Sequence, residues 1–202
     1  MRSSSVFRRV QEAAEVVARG GVVVYPTDTV YGIGCNPFDA KAVERVMVIK
    51  RRENKPSPVL VSDFDQVYSV AKPKDEEVEA CLRLWPGPVT VVMEKRPELP
   101  LEVTAGMPTV GVRMPANAIA LSLMQKSALP LVGTSANISG KPPAVSLDLV
   151  EPEIIRMADL AIDGGRTLYG RPSTVVELVG GELRVVREGA WSIEEIKKRL
   201  EG

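Results

Sequence analysis

The apolar positions of the first segment recur with a helical period. Val6, Val10, Ala13, Ala14 and Val17 share one face, Ser3 to Ser5 precede them as candidate N-caps, and Gly20-Gly21 closes the segment. The period then changes. Val22 to Tyr25, VVVY, is a continuous apolar run ended by Pro26, which predicts a short buried strand. AKAVERVMVIKR returns to helical spacing, with Asp39 placed to cap it. PVLVS (Pro58 to Ser62), PVTVVMEK (Pro88 to Lys95), TVGVRM (Thr109 to Met114), LPLVGT (Leu129 to Thr134) and ADLAID (Ala158 to Asp163) are β-branched or apolar runs of strand length. DFDQVYSVA, DEEVEACLRLW and Asn117 to Lys126 carry helical patterns between them. TVVELV-GG-ELRVV predicts a hairpin on a two-glycine turn. SIEEIKKRL, from Ser192, predicts a helix opened by a capping box.

Strand–helix alternation is interrupted by adjacent strands. This order predicts an α/β domain with a mixed sheet flanked by helices, rather than a purely parallel one. No repeat, low-complexity segment or linker divides the chain, so residues 1–202 are expected to form one domain.

Composition narrows the chemistry more than the fold. Lys plus Arg and Asp plus Glu number 26 each, so no net field favours nucleic acid and any such contact needs a local patch. Cys35 and Cys81 belong to no C-x-x-C pair and are expected as buried, reduced thiols rather than zinc ligands. The charged, helical N-terminus does not resemble a signal peptide, and no run reaches the roughly 18 to 20 apolar residues of a membrane span. A cytoplasmic protein is expected. The chain has no histidine. Ser-His-Asp and Cys-His catalysis, H-E-x-x-H zinc sites and the two-His iron triad are thereby excluded.

Four polar segments lie at element ends, where α/β proteins place ligands. YPTDTVYGIG, Tyr25 to Gly34, is either a site or a capped turn, since Asp and Thr close turns unaided. IKRRENKPSP sets Lys50, Arg51, Arg52 and Lys55 against Glu53 at a helix end. These cations either complement the helix dipole or point into a cleft. GTSANISGKPP offers hydroxyls and backbone N–H groups that form either an anion-binding nest or an Asx-type turn; it is neither a Walker A loop nor G-x-S-x-G. YGRPSTVVEL places a Ser-Thr pair at the start of a strand. Arg113 and Arg187 add cations near strand ends. Each needs a partner, either an anionic ligand or a carboxylate such as Asp163 or Glu177.

Several motifs in order identify a resemblance. GGVVVYPTDTVYGIG, the K-x-R of Lys50 to Arg52, WPGPVTVV, TAGMPTVGVRMP, the S-x-N of Ser135 to Asn137, STVVEL and VVREGAWS run from about residue 10 to 200. On these the chain resembles the YrdC family of L-threonylcarbamoyladenylate synthases, in its single-domain form. The resemblance implies a twisted mixed sheet around a large central cleft. It implies that L-threonine, bicarbonate or CO2, and ATP with Mg²⁺ yield threonylcarbamoyl-AMP and pyrophosphate, for threonylcarbamoyladenosine modification of tRNA by downstream proteins. Lys50 and Arg52 are the catalytic cations it implies. Thr29, Arg113, Ser135 and Ser173 would bind threonine; Lys50, Arg52, Ser57, Thr109, Asn137 and Arg187 would face the nucleotide. Glu53, Ser57, Ser62 and Val145 depart from the usual family residues. Two alternatives stand beside this reading. One is a double-stranded RNA-binding module, motivated by six cations against two acids in Lys41 to Lys55. The other is a paralogue using the same cleft on another substrate.

Overall fold

The structure, a computed structural model, describes residues 2–52 and 55–201, with side chains from Ser5 onward. Glu53, and its departure from the family residue, lies outside the described residues. Helix α1, Arg2–Ala18, lays Val10, Ala13, Ala14 and Val17 on the core. The helix already includes Ser3 to Ser5, so these residues do not cap it. Strand β1, Val23–Tyr25, follows, and then β2, Gly32–Gly34, antiparallel to it. The second strand lies in a segment expected as a polar loop. Two glycines in three residues hide its strand character from propensity, and pairing on both edges supplies what propensity does not.

Helix α2, Ala40–Lys50, starts on Asp39, whose carboxylate accepts from Lys41 N and Ala42 N, and buries Val43, Val46 and Ile49. It ends at Arg51 in the left-handed region, φ 49°. Strand β3 is Val59–Leu60, helix α3 Phe64–Val70, β4 Ala71–Lys72, α4 Asp75–Leu84, β5 Val89–Lys95 and the short α5 Leu101–Thr104. Then come β6, Thr109–Arg113, and α6, Ala118–Ser127, capped by Asn117. Strands β7, Leu131–Val132, and β8, Thr134–Ser135, are separated by Gly133 alone. After a 3-10 turn at Leu147–Leu149 come α7, Pro152–Met157, β9, Leu160–Ala161, β10, Thr174–Val179, β11, Glu182–Arg187, and α8, Ile193–Glu201. The hairpin of β10 and β11 turns on Gly180 and Gly181, both at positive φ (60° and 82°), as a two-residue primed turn requires. Ser192 and Glu195 form the expected reciprocal cap of α8.

The architecture is mixed α/β, as expected, but the strands form two sheets instead of one. One has the order β8-β2-β1-β9; the other runs β11-β10-β5-β6-β3-β7, with β4 beside β5. Parallel pairs (β1 with β9, β10 with β5, β3 with β6) alternate with antiparallel ones. The run LPLVGTS crosses from one sheet to the other at Gly133, whose N–H donates to Pro58 O at 2.8 Å. A Cβ at that position would lie 2.4 Å from Leu60 Cγ, so the crossing requires glycine. Helices α1 and α6 cover one cluster with Val10, Val17, Leu123 and Met124; a larger cluster around Val43, Val59, Val91 and Val176 lies between the remaining helices and the sheets. Each such fully buried side chain contributes about 1.5–3 kcal/mol. Cys35 and Cys81 are free and buried, and burial pushes the Cys35 thiol up to about 12. No helix among the described residues is long and apolar enough to cross a membrane.

Candidate active site

A cavity of about 450 Å³ opens where the two sheets meet. Every element end there carries polar groups. The β1–β2 turn contributes Thr27 and Thr29, the chain after α2 contributes Arg52 and Ser57, and β6 contributes Thr109 and Arg113. The crossing strand contributes Thr134 and Ser135, and the hairpin sheet Ser173 and Arg187. Eight of the ten residues that the resemblance implies therefore lie on one wall or another of a single cavity: Thr29, Arg52, Ser57, Thr109, Arg113, Ser135, Ser173 and Arg187.

The β1–β2 turn is built around Thr27. Its hydroxyl donates to Val30 O at 2.7 Å and accepts from Thr29 N and Val30 N at 3.1 and 3.2 Å. This rigid turn presents Asp28 and Thr29 to Arg113. The buried Arg113 donates from Nη1 to Thr29 Oγ1 at 2.9 Å, from Nε to Gly87 O at 3.1 Å, and from Nη2 to Asp28 Oδ1. The carboxylate partner of Arg113 is thus Asp28, not Asp163 or Glu177. Glu177 pairs with Arg184, and Asp163 accepts from Gly165 N at 2.9 Å. Asp28 Oδ2 keeps no hydrogen-bond partner. Burial pulls Arg113 below its ordinary range, and Asp28 opposes that pull.

The other two arginines have only neutral partners. Arg52 donates to Thr134 Oγ1 at 2.8 Å and Pro56 O at 2.7 Å, while its buried Nε has no partner. Arg187 donates from Nη2 to Ser173 O at 2.7 Å, and Ser173 Oγ lies 2.8 Å from Thr90 Oγ1. Burial, then the Arg187 charge, lowers the Arg52 pKa; burial, then the Arg113 charge, lowers that of Arg187. Three guanidinium groups line the cavity against one carboxylate, Glu177, and the hydroxyl of Ser57 is buried there without a partner. Repelling cations and orphaned donors around one space suit an anion carrying several oxygens.

Lys50 and Asn137 are not brought to that wall. Lys50 is 2% exposed, and its ammonium donates to Ser135 O and, at 2.9 Å, to Asn137 O. Burial, with the Arg52 charge adding to it, brings its pKa down to about 8. The Asn137 amide donates to Ile138 O at 3.0 Å and Lys141 O at 2.6 Å. Ser62 also stays out of the cavity and donates to Asp63 Oδ2 at 2.7 Å. Asp28 and Thr134 are the participants that sequence reasoning left unassigned. The signal for Asp28 was an acid flanked by threonines just after a buried strand, next to arginines in need of a partner.

A family profile for Sua5, YciO and YrdC proteins, described as "Telomere recombination", matches residues 15–189. The chain belongs to the Sua5/YciO/YrdC family. It is 40% identical over 192 residues to the threonylcarbamoyl-AMP synthase of Pyrococcus abyssi, covering 94% of this chain and 56% of that one. It is 34% identical to a putative threonylcarbamoyl-AMP synthase of Methanocaldococcus jannaschii, covering 90% of this chain and 86% of that one. A solved structure of Pyrococcus abyssi Sua5 complexed with L-threonine superposes with a TM-score of 0.89 at 40% identity, over 94% of this chain and 56% of that one. The chain thus spans little more than half the length of the Pyrococcus relative. Within the family region fall both the Arg113–Asp28 clamp and the three-arginine cavity.

Proposed function

We propose that the chain joins L-threonine, bicarbonate or CO2, and ATP into threonylcarbamoyl-AMP and pyrophosphate. This is a nucleotidyl transfer that supplies the threonylcarbamoyl group for tRNA modification in the cytoplasm, where downstream modification proteins receive the product. The observation that carries the reading is the cavity with three arginines, two of them lacking any carboxylate partner among the described residues. The names of the relatives support the same activity.

In this reading the threonine carboxylate lies on the free N–H groups of Arg113, with Thr29, Ser135 and Ser173 orienting the amino acid. The amine captures CO2 to give a carbamate and loses a proton. A carbamate oxygen then attacks the α-phosphorus of ATP, and the bond to the β-phosphate bridging oxygen breaks, releasing pyrophosphate. Arg52 and Arg187 neutralise charge on the phosphates, and Ser57 and Thr109 complete the nucleotide wall. Such a reaction depends on positioning and charge stabilisation, so no protein nucleophile is required. Among the described residues no group of three or more His, Cys, Asp or Glu side chains is gathered to hold a metal. In this reading magnesium arrives as MgATP, held by the phosphates.

The basic run that motivated an RNA-binding reading offers little free charge. Lys50 is buried and Arg52 lines the cavity. Arg45 pairs with Asp159 and Arg51 with Glu153. Only Lys41 and Lys55 of that run remain exposed and unpaired among the described residues. Pyrophosphate release separates these readings. Omitting threonine, bicarbonate or ATP in turn is expected to lower the rate at least tenfold each time. Equal release without threonine would point to an ATPase. Release with a different amino acid would point to the paralogue. No release, together with salt-sensitive binding of duplex RNA, would point to the binding module.

A further inference from the structure

Resting on that functional reading, we propose that Lys50 is a positioning residue. It holds the Ser135–Ser139 turn in place from behind the cavity and does not contact the phosphates. It closes α2, and both acceptors of its ammonium belong to that turn. Its ammonium donates to Ser135 O and Asn137 O, and its own carbonyl accepts from Ser139 N at 2.9 Å. The turn is pinned on its other side by β2 and the residue before it: Gly32 pairs with Ser135, and Ala136 N donates to Tyr31 O at 2.7 Å. Ser135 therefore faces the cavity because its backbone is held between β2 and Lys50.

Chemistry fits the task. An ammonium is a compact group with three donors, able to satisfy two carbonyls converging from positions 135 and 137. Methionine fills the same volume but donates nothing. The next residues then divide the labour. Arg51 adopts φ 49°, the chain turns, and Arg52 reaches the cavity wall at Thr134 Oγ1. Adjacent cations of one K-x-R motif thus serve different ends: Lys50 shapes the turn and Arg52 faces the anion.

A positioning role for Lys50 carries an effect on threonine that a phosphate-binding lysine would not have. Calorimetric titration of the full-length protein with L-threonine, without ATP, is expected to show at least tenfold weaker binding for Lys50→Met. Lys41→Met, at an exposed lysine of the same helix, is expected to stay within about twofold of wild type. Lys50→Gln, which keeps one donor, is expected to fall between wild type and Lys50→Met. Unchanged threonine affinity in Lys50→Met, with a raised KM for ATP alone, would overturn the proposal. Should the variants not fold, amine labelling of wild-type protein decides. Lys50 is expected to resist acetylation equally with and without MgATP. Labelling that MgATP suppresses would show a direct phosphate contact. A wild-type protein that binds no L-threonine would sink the functional reading. The labelling result would then decide separately whether Lys50 is engaged by the turn.

Discussion

Asp28→Ala is expected to destabilise the protein by about 3–5 kcal/mol, the usual cost of removing one partner from a buried ion pair. The Asp28 side chain is 0% exposed and that of Arg113 5% exposed, so neither charge has water to fall back on. Without the carboxylate, Arg113 keeps only Thr29 Oγ1 and Gly87 O, two neutral acceptors, for a guanidinium that burial already disfavours. Against a total stability of roughly 5–15 kcal/mol for an ordinary domain, this is a large fraction. Urea unfolding measures it. The double variant Asp28→Ala with Arg113→Met is expected to recover part of the loss, because it removes the stranded charge as well. A double variant less stable than Asp28→Ala alone would mean that Arg113 is held by something other than this pair. The clamp also bears on function. Two of the N–H groups of Arg113 are directed by the β1–β2 turn, so the remaining ones are fixed in direction before any carboxylate arrives, which is preorganisation in the sense that lowers the cost of binding.

Arg52→Ala is expected to do the opposite: little to stability and much to activity. Its bonds to Thr134 Oγ1 and Pro56 O, donated by a charged group, are each worth about 1.5–3 kcal/mol net. Removing it also relieves burial of a charge and repulsion from Arg187, the two causes that lower its pKa. These contributions offset one another, so thermal unfolding is expected to stay within a few degrees of wild type, where about 1 kcal/mol corresponds to roughly 2–4 °C. Pyrophosphate release is expected to fall about 10²–10³-fold, the usual loss when one preorganised donor to developing negative charge is removed. A fall in melting temperature of more than about 6 °C, with activity per folded molecule preserved, would make Arg52 a structural residue. Together the two variants separate a cation held by the protein from one held ready for the ligand.

What is legible in the sequence is local. Asp39 and the Ser192–Glu195 pair announce helix starts because a cap is made within three residues. Gly180-Gly181 announces a hairpin because a primed turn needs positive φ at both positions. The cavity residues were legible as motifs, yet their contacts were not. Arg113 and Asp28 are 85 positions apart, and so are Lys50 and Ser135. No local pattern encodes such pairings. Likewise LPLVGT looks like one strand of one sheet, and only packing against Leu60 reveals Gly133 as the point where the chain changes sheets. Lys50 stands in the same motif as Arg52, yet its burial sends it to the back of the Ser135 turn rather than into the cavity.

The central claim is that this cavity joins a carbamate of threonine to the α-phosphate of ATP. It is tested most directly by incubating the full-length protein with carbon-labelled bicarbonate, L-threonine and MgATP, then identifying the labelled nucleotide by mass. Threonylcarbamoyl-AMP is expected, with the bicarbonate carbon in the carbamoyl group and pyrophosphate formed in equal amount. Pyrophosphate or ADP released while the label stays in bicarbonate would contradict it.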